Sequence, residues 1–598
     1  MLSDFKKVWF VDFEFRAPEG ENPLPRCMVA YELNSKTLKR IWLQEIGSQK
    51  PPFNLGKDTL YVAYYASAEM GCHLSLNWPL PENLLDLFVE FRVYMNGIRP
   101  QGGFGLLGAM SCFGLGHMAP SVKYSMRDLA MRSGDYTSDE RDSLMDYCEE
   151  DVRALTKLFS KMSSHIDLER ALLRGRFMSS CARVERNGIP IDSSLHRRLN
   201  FYWDRIKSEL ISEVDQPFRV FENDVFKTAN FIAYLQREGI NWPLLDSGNP
   251  KMDDETFSVM SLRHPEIIPL KELRSTLSKM RLKDLSIGRD GRNRTLLSPF
   301  RSKTGRNQPS SSKFIFGASS WLRGLVKPEE GMSLAYIDWS QQEYGIAAAL
   351  SGDENMVKAY LSGDPYLAFA IQAGQAPKDA TKNSHSEIRN QFKAAVLAVQ
   401  YGMGAESLAL RIGESKARGR ELLQMHRNAY PVFWRWSDAA VDKAMIDGKL
   451  KSVFGWEIKV SKDSNPRSLR NFPMQANGAE MMRIAMILLT EDSIRVSAPV
   501  HDAFLIESET ACIDKAVERT KEHMKTASRM VLGGFELESE AEVSCYPLRF
   551  GKPGPDSFFS RVLTILEKLE GVSNGSTILP RDQGRRSHPS YHSLGESI

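Results

Sequence analysis

The sequence predicts an α/β unit followed by a larger, mostly helical α+β unit. Over roughly residues 1–165, short apolar runs alternate with amphipathic helical stretches. From about residue 168 to 283 the apolar period is mainly helical, and beyond residue 333 a few strand-like runs stand among helices. A chain of 598 residues has room for three or four compact units at about 100–200 residues each.

Residues 8–15 read as a buried strand and 61–65 as a second, because both are dense in β-branched and aromatic side chains. Residues 79–94 and 138–162 read as helices. Residues 289–313 are rich in Arg, Ser, Gly and Pro and read as extended basic chain. A strand over 333–338 runs into a helix over 341–350, and helices then dominate to about residue 435. Residues 453–460 and 496–506 read as hairpins. From Gly571 onward the Ser/Gly/Arg/His-rich composition predicts a disordered tail over 571–598.

Hydrophobic residues make up 42% and charged residues 26%, a globular balance. The net charge is +3, yet residues 271–313 hold twelve Lys/Arg against three Asp/Glu. The rest of the chain is therefore net acidic, and the basic stretch suits a polyanion. Seven scattered cysteines without a Cys-x-x-Cys pair argue against a disulfide framework or a zinc ribbon. A reducing compartment fits, and neither a signal peptide nor a run of about 18 apolar residues is present.

Two carboxylate clusters stand out. In Val8-Trp-Phe-Val-Asp-Phe-Glu-Phe, Asp12 and Glu14 are two apart and share one strand face. Side by side at the end of an apolar strand they repel, and a divalent cation would relieve that repulsion. In Tyr147-Cys-Glu-Glu-Asp151 the two end residues are four apart and share one helix face. Together these segments resemble the first and third motifs of the DnaQ-like nucleases in their tyrosine (DEDDy) form. The resemblance implies an RNase H-like fold over 1–165 and 3′→5′ exonuclease chemistry. Asp12, Glu14 and Asp151 would hold metal, and Tyr147 would orient the attacking water. The family's middle carboxylate falls either on Glu69, after the strand-like 61–65, or on Asp86 in Leu-Leu-Asp-Leu-Phe; Glu69 is preferred.

Four later segments form a second group. Leu334-Ala-Tyr-Ile-Asp338-Trp-Ser-Gln-Gln-Glu343 puts an Asp at the end of an apolar strand. Arg389 and Lys393 are one helical step of four apart and nearly in line, which suits a triphosphate. Tyr401-Gly402 follows them. Val500-His501-Asp502-Ala503-Phe504 is a two-residue turn between apolar runs. Arg467, Asn471 and Gln475 lie four apart on one helical stripe.

In order and spacing these segments resemble motifs A, B and C, and the segment before C, of family A DNA polymerases of the bacterial polymerase I type. The resemblance implies a right-hand polymerase over 166–555. Its thumb would cover about 166–300, its palm about 301–350 and 466–555, and its fingers about 351–465. It implies Asp338 and Asp502 as metal carboxylates, Lys393 as a catalytic cation, and Arg389, Lys393, Leu397, Tyr401, Glu343 and Tyr366 around the nucleotide, with Glu343 as the gate against a ribose 2′-OH. Arg306 in Thr304-Gly-Arg, Arg467, Asn471, Gln475 and His501 would meet DNA. Residues 180–192, with Glu185, Gly188 and Ile189, resemble the start of the polymerase domain.

The chain departs from the family pattern at Gly345 (usually Arg), Leu397 (Phe or Tyr), Ala503 (Glu) and Tyr366 (His). Two Mg²⁺ per site, or Mn²⁺, with primer–template DNA and dNTPs as partners, follow from the resemblance. So do a monomer without membrane attachment and a bacterial cytoplasm or phage-infected cell. No segment resembles a 5′-nuclease domain ahead of Asp12, a compact form like that of phage enzymes. The alternative is a nuclease or DNA-binding protein on a degenerate polymerase scaffold.

Overall fold

The computed structural model describes residues 4–43, 50–116, 120–279 and 282–573. It divides into two compact units, the first comprising residues 1–189, 286–310 and 328–547, and the second 190–285, 311–327 and 548–598.

The first unit holds a five-stranded and a four-stranded sheet. One is built from β1 (Lys7–Arg16), β2 (Leu24–Glu32), β3 (Leu38–Trp42), β4 (Thr59–Ala63) and β5 (Asn83–Asp86), in the order β3-β2-β1-β4-β5. β1 pairs antiparallel with β2 and parallel with β4, which continues parallel to β5. Val8, Phe10 and Val11 of β1 are all buried, as a central strand covered on both faces requires. Helices α1 (Ser67–Ser75), α2 (Leu87–Met95) and α3 (Ser138–Met162) surround this sheet. A capping box starts α3: Thr137 accepts from the Glu140 amide, and Glu140 accepts from the Thr137 amide.

Residues 79–94, expected as one helix, split into β5 and α2. The Asn83-Leu-Leu-Asp86 run completes the sheet edge before Asp86 caps α2. Apolar density alone does not separate a short strand from the first turn of a helix.

Helix α4 (Leu168–Asn187) packs against α1 and β5 on one side and reaches the second sheet on the other. That sheet contains β6 (Met332–Trp339), β7 (Arg495–Val500), β8 (Ala503–Glu509) and β9 (Ser539–Cys545), in the order β7-β8-β6-β9 and antiparallel throughout. Between β6 and β7 run α5 (Gln342–Ser351), α6 (Glu354–Leu361), α7 (Pro365–Gln372), α8 (Ser386–Gln400) and α9 (Pro466–Glu491), among others; α10 (Ile513–Val531) precedes β9. The hairpin expected at 453–460 is the pair Lys449–Lys451 and Glu457–Lys459, whose turn falls on 452–456.

The second unit has its own core. Its helices Ser193–Asp215 and Phe558–Ser573 are joined by Arg198–Glu570 and Arg561–Glu213 ion pairs, and Trp203 stacks on Trp321 at 6.1 Å. These units cut the chain differently from the expected thumb: α4 and residues 286–310 cluster with the sheets, not with 190–285. The expected tail also starts too early, since the last helix runs to Ser573; residues 574–598 lie outside the described residues.

Candidate active sites

Asp12 and Glu14 stand near the end of β1, where the pairing with β2 shifts register between Glu14 and Phe15. Such a bulge re-aims side chains at a strand end. Asp151 comes from α3, whose buried face also carries Tyr147 and Cys148. One ligand oxygen each from Asp12, Glu14 and Asp151 lies within 4.8 Å of the others. Burial, with Asp151 as neighbour, pushes Asp12 up to about 7, and the Cys148 thiol donates to its Oδ2 at 3.3 Å. Burial and then Asp12 raise Glu14 well above the carboxylate range. Tyr147 is raised by burial and by Asp151. Three hard oxygen donors crowded in a dry site fit a divalent cation such as Mg²⁺.

Glu69 and Asp86 have different surroundings. Glu69 is buried in the first turn of α1, its Oε2 has no hydrogen-bond partner, and burial followed by Asp12 raises it well above its usual range. Asp86 accepts from the amides of Tyr65 (2.9 Å), Ala66 (2.8 Å) and Phe88 (2.9 Å). It fixes the turn between β4 and α1, where Tyr65 has a φ of +68°. Only Glu69 has a free oxygen to offer. Lys123, which sequence reasoning passes over, donates to Asp151 Oδ2 at 3.1 Å and lies 6.0 Å from the Tyr147 ring centre. No sequence spacing links it to the motif.

The second cluster sits on the other sheet. Asp338 near the end of β6 is paired with Ala503 on β8 and Glu540 on β9. Asp502 lies in the two-residue turn between β7 and β8, where His501 takes a φ of +55° and the Asp502 carbonyl accepts from the Trp339 amide at 3.2 Å. Burial and then Asp502 raise Asp338; burial raises Asp502, opposed by His501 and Arg306. Adjacent half-buried carboxylates pushed upward together are a donor set that divalent cations would restore to the charged form. Glu540 is a third carboxylate on the same sheet face, and its Coulomb effect also raises Asp338.

Around these, Glu343 in the first turn of α5 receives Arg306 at 3.1 Å. Gly345 two residues on is tightly packed: a Cβ there would stand 2.4 Å from the Leu537 side chain and 3.0 Å from the Tyr360 ring, which would have to shift. Helix α8 carries Arg389, Lys393 and Leu397, with Tyr401 at its C-cap. The Arg389 guanidinium and the Lys393 ammonium lie 5.4 Å and 5.8 Å from the buried Tyr366 ring, and Arg389 is ion-paired with Asp364, the N-cap of α7. A cavity of about 460 Å³ opens between α8 and helix Ala405–Ile412, with Lys393, Leu397 and Arg411 on its wall. Arg467, Asn471 and Gln475 fall in the first half of α9; Arg467 is exposed and packs against Gly402, which takes a φ of +63°.

Residues 309–545 match the sequence model of the family described as DNA polymerase family A. The chain is 23% identical over 499 residues to DNA polymerase I of Aquifex aeolicus, covering 76% of this chain and 85% of that protein. It is 22% identical over 377 residues to the thermostable DNA polymerase I of Thermus aquaticus, covering 58% of this chain but only 44% of the relative. Among solved structures, the POL domain of Pol1 from M. smegmatis, in complex with DNA primer–template and dNTP, shares the fold. The TM-score is 0.69 at 17% identity, with 90% of this chain and 95% of that one covered. Among the described residues no helix is long and apolar enough to cross a membrane.

Proposed function

For a chain whose residues 309–545 match the model of DNA polymerase family A, we propose template-directed DNA synthesis coupled to 3′→5′ proofreading. dNTPs are joined to a primer 3′-OH in the β6–β9 sheet, and mispaired ends are hydrolysed at Asp12, Glu14 and Asp151. The observation that carries the synthetic half is the meeting of Asp338 and Asp502 at neighbouring strand ends, where the Trp339 amide donates to the Asp502 carbonyl and the Asp502 charge raises Asp338. The nuclease half rests on the 4.8 Å carboxylate cluster beside Tyr147.

Mg²⁺ or Mn²⁺ ions, two per site, held by Asp338 and Asp502 in one site and by Asp12, Glu14 and Asp151 in the other, would supply Lewis acidity to the attacking oxygen and offset developing negative charge. Glu69, with its unpartnered Oε2 and raised by the Asp12 charge, would be the further carboxylate beside the second donor set. The chain's own groups do the rest. Lys393 and Arg389 meet the triphosphate and stabilise the departing pyrophosphate, for which Arg389 must exchange Asp364 for phosphate. Glu343, anchored by Arg306, stands as the gate against a 2′-OH. Arg467, Asn471 and Gln475 contact the minor groove, where acceptors sit alike in every correct pair, so geometry is checked without reading sequence. Tyr147 orients the water at the exonuclease site. DNA and dNTPs are the partners of this reading, a monomer in a bacterial cytoplasm or phage-infected cell its setting, and a phage-like origin its corollary.

A second reading, a nuclease on a degenerate polymerase scaffold, is favoured by Ala503 and by the engagement of Arg389 with Asp364. A labelled primer–template separates the two. Extension with dNTPs and shortening without them are expected. Asp338→Ala and Asp502→Ala should end synthesis and spare shortening, and Asp12→Ala should do the reverse. Shortening alone supports the second reading, and one substitution ending both activities in a folded protein overturns the two-site assignment.

A further inference from the structure

Residues 297–308 form a closed loop, with the Gln308 amide donating to the carbonyls of Leu297 (3.2 Å) and Ser298 (3.1 Å). Its backbone is irregular: Ser298 and Phe300 take φ of +48° and +58°, and Gly305 takes +75°. At Gly305 a Cβ would meet the Trp456 ring at 3.1 Å, so only glycine fits without displacement. Side chains from outside the loop donate to the carbonyls of Phe300, Arg301, Lys303 and Gly305.

Two of the donors belong to α2 and its C-cap. Arg92 donates through Nε to the Phe300 carbonyl at 3.1 Å and through a second nitrogen to the Arg301 carbonyl. Asn96 Nδ2 donates to the Lys303 carbonyl at 2.8 Å and to the Glu457 carbonyl at 2.8 Å. Trp456 Nε1 reaches the Lys303 carbonyl at 2.9 Å, and Arg483 reaches the Gly305 carbonyl at 2.7 Å. The next residue is Arg306, whose guanidinium is the one paired with Glu343 and felt by Asp502. Arg92 is itself held over the Phe104 ring at 3.9 Å, which keeps its fork aimed at the loop.

We propose that Arg92 and Asn96 are positioning residues for synthesis: through the carbonyls of residues 300, 301 and 303 they set the loop that carries Arg306 to the primer end, so α2, beside the five-stranded sheet, supports the polymerase site directly. This rests on the polymerase reading above. Neither residue lies at the nuclease carboxylates, so their effect should fall on synthesis and leave single-strand degradation alone.

The test uses the full chain with Arg92→Ala, Arg92→Lys, Asn96→Ala, Arg306→Ala and the Arg92→Ala/Arg306→Ala double variant. Primer extension, single-strand shortening and thermal midpoint are measured for each. A tenfold or greater fall in extension is expected for Arg92→Ala and Asn96→Ala, with shortening within twofold of the parent. Partial recovery is expected with Arg92→Lys, which can still reach one carbonyl. In the Arg306→Ala background, Arg92→Ala should add no more than twofold, because it acts through Arg306. Extension within twofold of the parent for both alanine variants overturns the proposal, as does full additivity with Arg306→Ala. A parallel loss of shortening and thermal midpoint also overturns it, marking the contacts as general scaffolding. A parent chain that extends nothing overturns the polymerase reading and this proposal with it, whereas a parent that extends normally while the variants match it sinks only the proposal.

Discussion

Asp86 and Glu69 are both buried acids near the turn after β4, and their hydrogen bonds separate their roles. Three backbone amides converge on Asp86. Asp86→Ala would strand them, at a cost of about 3–5 kcal/mol of stability measured by denaturant unfolding. Glu69 has an unsatisfied oxygen in a dry site. Glu69→Gln should therefore leave the thermal midpoint equal or higher while shortening slows at least tenfold, and an equal loss of stability in both variants would contradict this division. Asp12 makes a second residue-scale prediction. Its folded value of about 7 lies above the usual 3.8, so between those limits the folded chain binds the extra proton. Without divalent metal, stability should then fall as pH rises from about 4 through about 7. Thermal midpoints at pH 5 and pH 8 in EDTA check it: the parent should lose more than Asp12→Asn, and Mg²⁺ should restore the loss at pH 8, where the carboxylates are free to bind it.

Among the elements, α4 does the most structural work, since it covers the five-stranded sheet and also packs on α9 and β7. It can lie so close to β5 because residue 175 is glycine: a Cβ there would stand 1.8 Å from the Leu84 carbonyl oxygen. The buried Arg174–Glu90 fork beside it, with both N–O distances 2.7 Å, locks α4 to α2. Helix propensity alone would favour alanine at 175 by about 1 kcal/mol. The close approach reverses the sign: Gly175→Ala should destabilise by about 2–4 kcal/mol in a denaturant titration, with α4 and β5 driven apart. A neutral or stabilising result would mean the helix can slide on the sheet.

At the scale of the whole molecule, the basic stretch over 271–313 is less available to DNA than its charge count suggests. Arg292 is buried against Glu507 and Glu329, Arg294 is paired with Asp290, and Arg306 with Glu343. Arg301 and Lys303 have exposed side chains. Each phosphate contact contributes about 0.9 to the slope of log affinity against log salt. Arg301→Ala and Lys303→Ala should each reduce that slope for primer–template by about one in anisotropy titrations. Arg292→Ala should leave the slope alone and instead cost about 1–3 kcal/mol of stability, because it takes one guanidinium from buried Glu507 and leaves Arg495 as its partner at 3.1 Å. Equal slope changes at all three positions would mean the ion pairs open on DNA.

What the sequence by itself determined is local. Asp12 and Glu14 on one strand, Tyr147 and Asp151 on one helix face, the strand ending at Asp338, and the His501–Asp502 turn all follow from periods of 2 and 3.6 residues and from short apolar runs. Of these, only the strand ending at Asp338 and the His501–Asp502 turn lie within residues 309–545, which match DNA polymerase family A. Tertiary structure alone decided which distant side chains meet. No spacing reveals that Lys123 pairs with Asp151, that Glu540 lies opposite Asp338, or that Arg92 and Asn96 grip a loop about 200 residues later. It also divided the run 79–94 into strand and helix and placed α4 with the sheets, because the vacancy at a sheet edge and the space above Gly175 exist only once the chain is packed.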